Sequence, residues 1–136
     1  MSDCLLVCLN GGLVVLIWLV QLIIYPAMVH WPLPSFCAIH RWYTSRISLL
    51  VIPLMSGQAL LVGYGLVTNF SALLLVQASL VAIAWGLTFF LFVPLHARLS
   101  RGYDIAVIRR LVAANWFRTI LWSAVSGLDI ARVYLA

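Results

Sequence analysis

The chain has 136 residues, 65% of them apolar and 8% charged, with a mean hydropathy of +1.14. A soluble domain carries about a quarter charged residues and under half apolar ones, so this composition excludes an ordinary soluble fold. The formal net charge is +5, but all eight basic residues are arginines scattered among long apolar runs. They offer no basic face to a duplex, which sets nucleic acid aside as a partner.

A membrane-crossing helix needs about 20 mainly apolar residues, and four stretches qualify. The first covers about 4–24 and carries no charge. It is expected to be a retained helix and not a signal peptide. Its start holds Asp3 without a basic residue, and its apolar run exceeds the roughly 7–15 residues of a signal core. Cys4 and Cys8, one turn apart, read as small packing residues, and neither they nor Cys37 have zinc-site spacing. Three prolines (Pro26, Pro32, Pro34) in the segment YPAMVHWPLPSF are expected to end the first helix near Tyr25.

Ser35 then offers an N-cap, and the second helix should begin near Phe36, span 47–67 and bend near Pro53. Trp31, Trp42 and Tyr43 fall at headgroup depth. The run Gly63-Tyr64-Gly65 lies inside a span and reads as close packing through small residues, not as a channel filter. A short turn at Thr68 and Asn69 leads to the third span, 70–93, which pairs with the second as an antiparallel hairpin and is expected to end at Val93-Pro94. Gly102 supplies a turn and Asp104 an N-cap for the fourth helix, 107–134. The expected fold is all-α, one domain, a bundle of four transmembrane helices.

Arginine placement gives an orientation. Arg41 and Arg46 lie between spans one and two, and Arg98, Arg101, Arg109 and Arg110 lie between three and four. The opposite side carries both termini, the Asn69 turn and Arg132. Both long connections are therefore expected in the cytoplasm and both termini outside, as in a bacterial inner membrane.

Polar residues inside spans are costly and face the bundle interior. Gln21 and Tyr25 sit one turn apart at the cytoplasmic end of the first helix; His40 and Tyr43 start the second. His96 closes the third, in line with Phe89 and Phe92, while His30 lies in the proline-rich connection and reads as solvated. The fourth presents Leu111, Asn115, Arg118 and Trp122 on one stripe. Arg118 is about 20 Å along its helix from the cytoplasmic entrance, too deep to snorkel. With no glutamate in the chain and Asp104 and Asp129 each more than ten residues away, it has no intrahelical ion pair.

Three roles are open to this arginine: a clamp to Gln21, Gln58, Tyr25 or backbone carbonyls, a holder of a ligand carboxylate, phosphate or quinone oxygen, or a contact to a partner subunit. His40 and His96 could bond to backbone or water, ligate haem iron or a transition metal, or move protons. The absence of glutamate excludes a carboxylate-bridged di-iron site, and no P-loop or Gly-rich nucleotide motif occurs.

Gln21 with Tyr25-Pro26, then Phe36, His40, Ile47, Pro53, Met55, Pro94-x-His96, Leu99, Gly102, Asp104, Asn115-Trp116, Arg118-Thr119 and Trp122 form a pattern covering roughly 21–122. It resembles that of an uncharacterised bacterial family of small four-helix inner-membrane proteins. It is more distantly similar to anthrone-oxygenase-like membrane proteins, a cofactor-poor oxygenase group. The close resemblance implies a histidine at the place of Tyr43 and a glutamate at that of Gln58, and this chain has neither.

Two functions follow from this reading. One is a membrane-embedded site in the cytoplasmic half for an amphipathic molecule such as a quinone, lined by Gln21, Tyr25, Tyr43, Asn115, Arg118 and Trp122, with His40 and His96 as metal or haem ligands or proton carriers. The other is a non-catalytic accessory subunit of a membrane complex, or a homo-oligomer, in which the same groups set helix register. A channel is disfavoured by the narrow lumen of four helices and by an outer half read as uniformly apolar.

Overall fold

The computed structural model describes the backbone of residues 2–135 and the side chains of 4–132. Six α-helical segments follow in order: α1 (Ser2–Leu19), α2 (Tyr25–Ala27), α3 (Phe36–Thr68), α4 (Ala72–Leu87), α5 (Val93–Leu99) and α6 (Ile105–Leu135). No strand occurs among the described residues. A π-helical turn at Val20–Ile24 joins α1 to α2, and another at Thr88–Phe92 joins α4 to α5, so the segments build four rods. α1 packs on α3 and α6, and α4 packs on the same two. The first rod therefore stands diagonally across from the third, and the second from the fourth. One end of the bundle carries the two arginine-bearing connections; the other carries the start of α1, the end of α6 and the Asn69 turn.

Three rods are long and apolar enough to cross a membrane: Cys4–His30, Leu33–Thr68 and Ala72–Leu99. Leu22, Leu49, Leu60, Phe90 and Phe117 point outward, whereas Asn10, Gln21, Gln58, Gln77, Asn115 and Asp129 are buried. That distribution inverts the pattern of a water-soluble protein.

The prolines act differently from the sequence expectation. Neither Pro26 nor Pro94 ends its helix; the rods run on to His30 and Leu99. A proline ring collides with the carbonyl four residues back, and a π turn, with one residue more per turn, makes room for it. Each π turn closes immediately before its proline, with the Tyr25 N–H bonded to the Val20 carbonyl and the Val93 N–H to the Thr88 carbonyl. The first rod stops only at Trp31, whose extended backbone is what a residue preceding proline prefers.

The second π turn also shifts the register of the third rod. Phe89 points outward, 54% exposed, while Phe92 is 1% exposed. An unbroken helix would have kept Phe89 on the stripe of Phe92 and His96. α3 is continuous through Pro53. Tyr43 is buried, in edge contact with Trp31. Cys4 and Cys8 face outward and are not packing residues, and all three cysteines are free.

Ser35 makes no side-chain cap; its hydroxyl donates to the Pro32 carbonyl at 3.4 Å. Asp104 does cap α6, its Oδ1 accepting from the Ala106 and Val107 N–H groups at 2.9 and 3.2 Å. Asp104→Ala is expected to lower stability by about 1 kcal/mol, the usual cost of a lost N-cap, measured by unfolding in detergent micelles. Gly65 supports the close-packing reading, because a Cβ there would stand 2.9 Å from Leu74 Cδ2, whereas Gly63 faces open space.

Apolar side chains form three layers along the axis. Tyr25, Met28, Phe36, Phe92, Leu99 and Ile108 fill the arginine-rich end. Leu13, Ile17, Met55, Ala84 and Trp122 fill the middle, and Leu6, Val62, Leu74, Val81 and Val125 the terminal end.

Candidate functional site

Where the first two layers meet, the rods separate around a cavity of about 260 Å³. The two π turns and α3 bound it, and its walls are largely aliphatic: Leu13, Ile17, Val20, Ile47, Val51 and Val93. Tyr25, Tyr43, His96, Arg118 and Trp122 supply its polar and aromatic surface.

Arg118 is 6% exposed. Its guanidinium carbon lies 4.4 Å from the centroid of Phe92 and 4.8 Å from that of Trp122, so two aromatic faces sandwich the charge. Neither carboxylate ion pair among the described residues includes it, and its Nε is buried without a hydrogen-bond partner. Desolvating a guanidinium costs several kcal/mol unless an anion or a set of dipoles compensates it. The aromatic faces and the neighbouring Tyr25 side chain supply part of that compensation, and the guanidinium lines the cavity.

Beside the arginine runs a chain of hydrogen bonds. Tyr25 Oη lies 2.9 Å from His96 Nε2, His96 Nδ1 lies 3.0 Å from His40 Nε2, and His40 Nδ1 lies 3.1 Å from Ser100 Oγ. The two imidazole planes are inclined by 29° with centroids 5.2 Å apart, as an N···N bond between ring edges requires, and the Phe36 ring lies 6.0 Å from His40 at 17° to its plane. The chain starts on the cavity wall at Tyr25 and ends at Ser100, half-buried, whose carbonyl accepts from exposed Arg41 Nη1 at 3.2 Å.

The remaining sequence candidates lie elsewhere. Gln21 and Asn115 are buried behind the cavity wall and not on it: Asn115 Nδ2 donates to Gln21 Oε1 at 2.9 Å, and Gln21 Nε2 donates to the Val112 carbonyl at 3.3 Å. Thr119, off the stripe that helical spacing picks out, joins them by donating to the Asn115 carbonyl at 3.0 Å. These bonds tie the first rod to α6. His40 is fully buried and reaches the cavity only through His96.

The histidines do not fit a metal or haem iron as they stand. A ligating imidazole must present a free nitrogen lone pair, whereas all four ring nitrogens face protein partners. Among the described residues no three His, Cys, Asp or Glu side chains are placed to hold an ion.

A second polar cluster lies toward the terminal end. Asp129 of α6 accepts from Asn10 Nδ2 of α1 and from Gln77 Nε2 of α4, the latter at 2.6 Å. Gln58 of α3 donates to Asn10 Oδ1, and Arg132 stands 4.0 Å from Asp129 Oδ1. The terminal half of the bundle is therefore not uniformly apolar, and Gln58 serves this cluster instead of Arg118. Asp129 is an acid deep inside an apolar run, which is the sequence signal that could have found it. Asn10, Gln58 and Gln77 lie at similar depths from that end.

Comparison of the chain with protein-family models, with curated proteins and with solved structures gives no match.

Proposed function

We propose that this protein is a four-span integral membrane protein that binds a single-chain amphipathic molecule through Arg118. Its spans are the three apolar rods and α6, with the arginine-rich connections in the cytoplasm and both termini outside a bacterial inner membrane. Six connection arginines against Arg132 support that orientation. The ligand's oxygen-bearing head, a carboxylate or a quinone carbonyl, sits on the guanidinium, and its chain lies along the aliphatic wall toward the lipid.

The observation that carries this reading is a buried guanidinium, without a carboxylate partner among the described residues, on the wall of an apolar cavity. Arginine offers paired, always-charged donors, and a dry site strengthens their bonds to an anion or carbonyl. The cavity holds the head and a few methylenes, and the rest of the chain lies outside it. The π turns support the same reading, since such turns recur at functional sites in helices.

In lipid nanodiscs, dodecanoic acid or decyl-benzoquinone is expected to raise the melting temperature by about 5–10 °C at roughly 100 times its Kd. Dodecane-1-ol, which lacks both a carbonyl and a charge, should shift it by less than half as much. Equal shifts from all three probes would show partition into lipid and defeat the reading.

A further inference from the structure

Arg118 and Tyr25 both face the cavity, and the hydrogen-bond chain behind Tyr25 leads away from it. With both imidazoles neutral, two proton arrangements satisfy every bond in that chain. In the first, the Ser100 hydroxyl donates to the His96 carbonyl, a bond present at 3.0 Å. Ser100 Oγ then accepts from His40 Nδ1–H, His40 Nε2 accepts from His96 Nδ1–H, and His96 Nε2 accepts from the Tyr25 hydroxyl. In the second, every proton points the other way, and the Tyr25 hydroxyl donates into the cavity. A file of groups with two such settings is what stepwise proton transfer requires.

The first setting also specifies a ligand head. Tyr25 has spent its proton on His96, so toward the cavity it offers only an acceptor. Arg118 offers only donors. An undissociated carboxylic acid answers both, with its carbonyl oxygen on Arg118 and its O–H on Tyr25 Oη. A quinone or an ester answers only the arginine.

We infer that the site takes a long-chain carboxylic acid and releases its proton through Tyr25, His96, His40 and Ser100 to the arginine-rich end. This inference rests on the cavity being the ligand site proposed above. In the transfer the ligand O–H bond breaks and its proton forms a bond to Tyr25 Oη. The Tyr25 proton passes to His96 Nε2, the His96 Nδ1 proton to His40 Nε2, and the His40 Nδ1 proton to Ser100 Oγ. The Ser100 proton leaves to water. Nothing is oxidised or reduced. A carboxylate remains against Arg118, and both histidines have changed tautomer from Nδ1–H to Nε2–H.

The test is nitrogen NMR of ring-labelled histidine in the full chain in nanodiscs, with thermal shift reporting binding. Without ligand, His40 and His96 should both carry their proton on Nδ1. Dodecanoic acid should move both to Nε2, whereas dodecanesulfonate, an anion without a proton to give, should bind and move neither. Tyr25→Phe should weaken dodecanoic acid binding two- to five-fold and leave both tautomers unmoved. If dodecanoic acid and the sulfonate produce no specific thermal shift, the ligand site itself is refuted. If the acid binds but the tautomers stay, or if the sulfonate switches them too, the proton path is refuted and the ligand site stands.

Discussion

Arg118→Met is expected to raise the stability of the empty protein by about 1–3 kcal/mol while weakening dodecanoic acid binding about 100-fold. The first effect follows from the desolvated charge. No carboxylate among the described residues compensates it, and methionine fills similar space between Phe92 and Trp122 without a buried cation. Placing an arginine at mid-membrane depth costs about 2.5–3.5 kcal/mol on insertion scales, and the two aromatic faces recover part of that. The second effect is the loss of charge-assisted bonds to the ligand head, where a hundredfold corresponds to about 2.7 kcal/mol. The combination separates the two functions read from the sequence. An arginine that clamps helices in an accessory subunit would lose stability on this substitution. One held ready for a ligand gains it. Chemical unfolding in nanodiscs and a dodecanoic acid titration measure the two halves on the same sample.

Asp129→Ala is expected to have the opposite character, destabilising the bundle by about 3–5 kcal/mol without touching the cavity. The carboxylate collects an amide from α1 and another from α4, and Asn10 carries the network on to α3 through Gln58. Its removal leaves those donors without this acceptor and takes a carboxylate from beside Arg132. Buried donors stripped of a charged acceptor each cost more than the net worth of the bond they lose. Asp129→Asn keeps the shape and one acceptor oxygen and should cost about 1–2 kcal/mol. The apolar middle layer lies between this cluster and Arg118, and eleven residues of helix, about 16 Å, separate the two on α6. Affinity for dodecanoic acid should therefore stay within a factor of about 2 in whatever fraction of the variant remains folded.

The two clusters show how far the residues could be read one at a time. The stripe Leu111, Asn115, Arg118 and Trp122 was legible because helical spacing alone puts those side chains on one face, and all four are buried. Which neighbours they meet was not. Asn115 turns to Gln21 and away from the cavity, and Arg118 meets two aromatic rings and Tyr25, one of the partners offered for it, and not Gln58. Those choices depend on the rotation of adjacent rods. The π turns at Val20–Ile24 and Thr88–Phe92 change that rotation partway along two of them. A periodicity of 3.6 carried through Trp85, Phe89 and Phe92 puts all three on one side, whereas the extra residue moves Phe89 outward.

What the chain's composition and order determine unaided is that the rods are long and mainly apolar, three of them enough to cross a membrane, and the number and direction of those rods. Few charges, long apolar runs and short connections admit little besides an antiparallel helical bundle, because in hydrocarbon every backbone group must be bonded within its own segment. The same accounting marks Arg118 and the histidines as residues that need a reason to be there. Tertiary structure alone decides the reason. It spends all four imidazole nitrogens in one file from Tyr25 to Ser100, gathers Asn10, Gln58 and Gln77 around Asp129, and leaves the arginine facing open volume. Hydrogen bonds between side chains depend on a few tenths of an ångström and on ring orientation. Those are set when four rods pack together, not by the spacing of residues along any one of them.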